Sequence, residues 1–103
     1  KSNMVNVHKY WVKKMSNEAR TVVYVGITND LYRRYIEQKK KKIEGFTQKY
    51  RCHDLLYYEE YNVVDDAIAR EKEIKAWRRE KKEKLIATKN PAKRNLAIDL
   101  EWI

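Results

Sequence analysis

Glycine, proline and cysteine are scarce in this chain of 103 residues, which has two glycines, one proline and one cysteine. The glycines punctuate two places only, Gly26 inside an apolar stretch and Gly45 in a polar one. Cys52 has no second thiol to bridge, and with only His8 and His53 beside it there is no zinc-ligand spacing. No apolar run approaches the roughly 20 residues that a membrane span needs, and no signal-peptide pattern opens the sequence. A reducing, cytoplasmic setting without membrane contact is therefore expected. Lys1-Ser2-Asn3 precede Met4, which fits either a start at Met4 or a longer parent chain. Internal repeats and low-complexity segments are also missing, so residues 1–103 are expected to form one domain with one modest core.

What the chain does have is positive charge. Twenty-four Lys and Arg against fifteen Asp and Glu leave a net +9, which favours polyanionic partners, nucleic acid first among them. A basic protein with no polyanionic partner is the plainer alternative. Hydrophobic residues at 43% are compatible with a folded body, while 38% charged residues imply a largely ionic surface.

The pattern of elements reads β-β-α-β-α-α. His8 to Met15 and Thr21 to Ile27 are strands joined by a short polar link, a hairpin that should pair antiparallel. Val22, Val23, Val25 and Ile27 surround Tyr24 and predict a strand near the middle of the sheet. Thr28 or Asn29 is expected to cap a helix with Asp30 in its first turn, running to about Ile43. The run Lys39 to Lys42 reads first as a solvated helix end. Glu44 to Arg51 reads as a loop, and Leu55 to Tyr61 as a third strand with tyrosines on both faces. Asp65 or Asp66 should open a second helix from Ala67 through Trp77. Helical pattern continues from Arg78 to Lys89, as one long helix or two with a bend, until Pro91 stops it. The fold class expected is α+β, a three-stranded antiparallel β-sheet flanked by helices.

Three positions stand out chemically. Period-two alternation places Val22, Tyr24 and Gly26 on one face of their strand, and a missing side chain beside Tyr24 commonly means that a ligand or another backbone comes close. Arg34, and equally Arg33, can pair with an acid or bind an anion. Ala67, Glu71, Ile74 and Trp77 share one helix face, so Glu71 sits on an apolar stripe and needs a basic partner, a metal or water. On the residues alone, a structural salt bridge ranks ahead of a metal ligand.

The segment Tyr24-Val25-Gly26 with Asp30, Leu31 and Arg34 resembles the second half of the GIY-YIG nuclease signature. The likeness extends through Glu44-Gly45-Phe46-Thr47, Tyr57-Tyr58-Glu59-Glu60, Ala67 to Lys75 and Asn90-Pro91, and is closest to small stand-alone members similar to an excinuclease catalytic domain. The resemblance implies that Tyr24 and Arg34 act at the scissile phosphate and that Glu71 is the ligand of one Mg²⁺ or Mn²⁺ ion. It implies metal-dependent endonuclease activity, on DNA before RNA. A tyrosine is ordinarily a poor base near neutral pH, its reference pKa being about 10, so positive neighbours or the metal would have to assist it.

Two positions depart from the pattern. Lys13 stands where the first signature half has its tyrosine, and Gln38 stands four residues after Arg34, where small relatives often have histidine. Tyr10 lies out of phase with Tyr24 and is expected in the core. A non-catalytic or weakened nucleic-acid-binding relative is therefore the alternative reading. Lys13, Gly26, Arg33, Gln38 and Lys49 are candidate nucleic-acid contacts, with Phe46 and Tyr50 beside Lys49. Strand tyrosines and Trp77 are expected in the core, and a protein partner for targeting is left open.

Overall fold

A computed structural model describes residues 9–39 and 52–102, with the side chains of 38 and 39 excepted. Within that span the chain runs β1 (Tyr10–Ser16), β2 (Val23–Thr28), α1 (Leu31–Lys39), β3 (Asp54–Tyr61), α2 (Val64–Ala76), α3 (Arg79–Lys89) and α4 (Leu96–Asp99). The strands form one antiparallel sheet in the order β2-β1-β3. The expected architecture is present, with the short α4 added.

The centre of the sheet is β1, and not β2 as its β-branched run had suggested. The valines of β2 are apolar because α2 covers Val25 and Ile27, whereas Val23 stays exposed at the sheet edge. Lying between two strands, β1 carries the burial, and it does so with two consecutive lysines. Lys13 and Lys14 are 2% and 1% exposed.

Directly opposed residues share a face of the sheet. Lys13 is opposed by Gly26 and Tyr58, and Lys14 by Val25 and Tyr57. On the Lys13 face, Met15, Leu55, Tyr24 and Tyr58 pack with Leu31 and Tyr35 of α1 and Ala97 of α4. On the Lys14 face, Val12, Val25, Ile27 and Tyr10 pack with Ala67 and Ile74 of α2. Tyr10 and Tyr24 thus lie on opposite faces, as their phase requires. A register shift between Lys14 and Met15 in the β1–β3 ladder lets both Leu56 and Tyr57 reach Ile86 of α3.

The helix boundaries follow local chemistry, with two revisions. The α1 cap is Asp30 itself, whose Oδ1 accepts the Arg33 N–H at 3.0 Å, while Thr28 Oγ1 accepts the Asp30 N–H at 3.1 Å. Helix α2 starts at Val64 without a side-chain cap, and Asp65 and Asp66 sit in its first turn, where their charge complements the dipole. The helical stretch after β3 is two helices, because Trp77 and Arg78 are extended, with ψ of 155° and 159°. The break lets Ile74 and Ile86 reach different parts of the sheet. Asn90 ends α3 just before Pro91. Its buried amide donates to the carbonyls of Leu56 and Arg94 at 3.0 and 2.8 Å and accepts from the Arg94 N–H at 3.1 Å. Its role is to fasten α3 to β3.

A bidentate ion pair anchors α2 to β3. Arg70 donates to both oxygens of Glu59 at 2.9 and 3.0 Å, and the Tyr57 and Tyr61 hydroxyls donate to the same carboxylate. Burial alone would raise the Glu59 pKa, but the guanidinium and the two phenols outweigh it and bring it down to about 2.

Candidate active site

The Tyr24 ring lies over Gly26. A side chain added at residue 26 would meet the Tyr24 ring and hydroxyl at 3.1 Å. The expected gap beside the tyrosine is therefore where its own phenol rests, and Gly26 serves as the seat of that ring instead of an opening for a ligand. Across the ladder, the Lys13 ammonium lies 4.9 Å from the centre of the same ring, a cation–π distance. The departure at Lys13 thus puts an amine against the tyrosine of the second signature half.

The two arginines of α1 separate clearly. Arg33 is 57% exposed and engages the acids of its own helix, Asp30 and Glu37, both at 3.7 Å. Arg34, 36% exposed, touches Glu37 only at 3.9 Å and bears on Lys13 electrostatically. Of the pair, Arg34 is the one turned toward the Lys13 face.

Glu71 is 16% exposed and has the exposed Lys75 ammonium at 3.3 Å one helical turn on. With its lysine in solvent, such an i,i+4 pair is worth a few tenths of a kcal/mol and leaves the carboxylate able to take another partner. The charge of Glu71 also acts on Lys13 through space, without an ion pair between them among the described contacts. The Lys13 pKa is lowered to about 7, first by burial and then by Arg34, against opposing influences from Cys52 and Glu71. Lys13 is thereby the point at which the fields of α1, α2 and the sheet meet.

Among the described residues no three His, Cys, Asp or Glu side chains gather in a way that could hold a metal. A magnesium site does not require three, because one or two carboxylates suffice when substrate phosphate and water complete the octahedron. Glu71, partly open to solvent, fits that donor set. Lys49, with Gly45, Phe46 and Tyr50, lies outside the described residues, as does the side chain of Gln38. Tyr57 is buried, and Tyr58, Tyr61 and Trp77 are half-buried against the core clusters, in keeping with the expected core role.

The GIY-YIG catalytic domain family matches residues 9–84. The chain belongs to the GIY-YIG family. A solved structure, the solution NMR structure of the UPF0213 protein BH0048 from Bacillus halodurans, is similar to it with a TM-score of 0.53 and 24% identity, over 80% of this chain and 86% of that one. That likeness speaks for the fold. Comparison with curated proteins gave no match. Membership makes this a chain of the nuclease family, whose members bind nucleic acid and generally depend on a divalent metal. No helix among the described residues is long and apolar enough to cross a membrane.

What the residue pattern missed is the depth of β1. A pair of lysines in sequence reads as surface, and only the two flanking strands bury both of them. The Glu59–Arg70 anchor was equally hidden, since its members are far apart in the chain. The alternation of Tyr57, Glu59 and Tyr61 on one face of β3 was the available signal.

Proposed function

We propose that this chain is a divalent-metal-dependent endonuclease acting on DNA, with Lys13, Tyr24, Arg34 and Glu71 at the scissile phosphate. The observation that carries the reading is the Lys13 ammonium, held against the Tyr24 ring and under the influence of both Arg34 and Glu71. Lys13 and Arg34 bind the non-bridging phosphate oxygens. The planar fork of Arg34 strengthens its grip as negative charge develops in the transition state. The Tyr24 hydroxyl, fixed by the bare backbone of Gly26, orients the attacking water. Glu71 would hold the divalent ion, Mg²⁺ or Mn²⁺, which would supply charge neutralisation at the phosphate and acidify water. Arg33, Gln38 and Lys49 are further candidate contacts to the nucleic acid, Gln38 by a hydrogen bond to phosphate or water. The whole of residues 1–103 acts as one domain in a reducing, cytoplasmic setting, with substrate shape or a protein partner providing the targeting.

Labelled DNA and RNA incubated with Mg²⁺, with Mn²⁺ and with chelator test this directly. Cleavage of DNA should require the metal and fall roughly a hundredfold in Glu71→Gln and in Arg34→Ala. Parent-like cutting by both variants refutes the assignment. A second reading, a nucleic-acid binder without cleavage, is favoured by one observation, the Lys13 ammonium against the Tyr24 ring where the family signature has a tyrosine. It predicts salt-sensitive DNA binding with no cleavage in either metal.

A further inference from the structure

On the sheet face away from Tyr24, the Lys14 side chain enters a cavity of about 220 Å³ walled by Val23, Val25 and Ile86 and closed by the first turns of α3. Arg79 and Lys82 add two cations to its lining, and Glu83 is its only acid among the described residues. That acid is already shared between Arg79 at 2.8 Å and Lys93 at 3.6 Å. Lys14, almost wholly buried, has no carboxylate in ion-pair range among the described residues, and its ammonium donates to the Lys82 carbonyl at 3.4 Å, a long hydrogen bond. Burial and then the neighbouring Lys82 lower its pKa to about 8, with Glu83 opposing. The α3 N-terminus beside the cavity has no side-chain cap, and Glu80 is the acid of its first turn.

A buried cation in a cavity and two more cations at the rim all want the same thing. We propose that this cavity is a phosphate-binding site, separate from the candidate active site and distinct from it in location and residues. The cavity is of a size for one phosphate group with part of an attached sugar against the valine wall. Lys14 forms the floor and Lys82 and Arg79 the rim. The phosphate comes either from the nucleic-acid chain or from free phosphate.

The test is a titration of the isotope-labelled full chain with inorganic phosphate at constant ionic strength, followed by NMR. Saturable shifts should centre on Val23, Val25, Arg79 and Lys82, and Lys14→Met should weaken the binding at least tenfold. Should that variant fail to fold, Lys82→Ala and Arg79→Ala, at less buried positions, must each weaken it severalfold. Shifts that spread over the basic surface, or that are equal in parent and variants, overturn the proposal. Oligonucleotides with and without a 5′-phosphate then identify the source. Displacement of phosphate by either oligonucleotide assigns the site to nucleic acid, and failure of both to displace it assigns the site to free phosphate. Glu71→Gln should leave every one of these shifts unchanged, so the site and the nuclease reading fail separately.

Discussion

Replacing Lys13 by methionine should make the protein more stable, by an amount that depends on pH in a specified way. In the folded chain the Lys13 pKa falls from the ordinary 10.5 to about 7. At about 1.36 kcal/mol per unit, a difference of about 3.5 units is worth roughly 5 kcal/mol at most. The sign follows from proton counting. Between about pH 7 and 10.5 the unfolded chain binds the Lys13 proton and the folded chain does not, so parent stability rises with pH across that window. Below pH 7 the ammonium is charged in both states, and the folded state carries the full cost of keeping it out of water. Methionine, of similar length and without charge, has no such cost. Lys13→Met should therefore gain about 2–5 kcal/mol at pH 6, less at pH 8, and nearly nothing at pH 10.5. Urea unfolding of parent and variant at those pH values reads the difference directly. Parallel stability profiles would show that Lys13 is not titrating in a buried place, and the electrostatic account of the site would go with it. The same variant should lose nucleic-acid affinity or cleavage, making residue 13 a place where stability is given up for function.

Gly26→Ala should cost roughly tenfold in cleavage with little loss of stability, because the added carbon at 3.1 Å from the Tyr24 ring pushes the phenol by a few tenths of an ångström. A kcat loss without a matching drop in melting temperature is the expected result. Glu59→Gln should destabilise by about 3 kcal/mol near neutral pH, since it strips Arg70 of its bidentate partner. The carboxylate's folded pKa is about 2, so its contribution is full above the ordinary glutamate range, near pH 4.3, and is lost as the pH falls toward 2. Unfolding curves from pH 6 to 2 should converge for parent and variant, and a constant gap would contradict this. Asn90→Ala should lower stability by about 2 kcal/mol by leaving the buried Leu56 carbonyl without its donor, measured as a fall in melting temperature.

Much of the fold was legible because its signals are local. The polar link between the first strands, the alternation through Tyr24, the stop at Pro91 and the apolar stripe of Ala67, Ile74 and Trp77 each depend on near neighbours in the chain. Their outcome was the antiparallel hairpin, the third strand and the helical stretch that follows. The break at Trp77–Arg78 was not legible, since neither residue is a glycine or a proline. It arises because Ile74 and Ile86 must satisfy different clusters on one twisted sheet. The short helix α4 escaped for a related reason. Its cap, Asn95, is held by Leu55 and Tyr35 from distant elements.

By itself the sequence determined the element types, the α+β class and the net charge of +9, and its likeness to the nuclease family pointed to Tyr24, Arg34 and Glu71 as candidates. Those follow from periodicity, composition and motif, which need no knowledge of what lies across space. Tertiary structure alone decided that β1 and not β2 is central, and hence that Lys13 and Lys14 are buried on opposite faces. The reason is that burial belongs to strand order, and strand order is set by pairing between segments the chain keeps far apart. A lysine's charge is written in the sequence, but the cost of that charge, and so its use, is fixed by what closes over it.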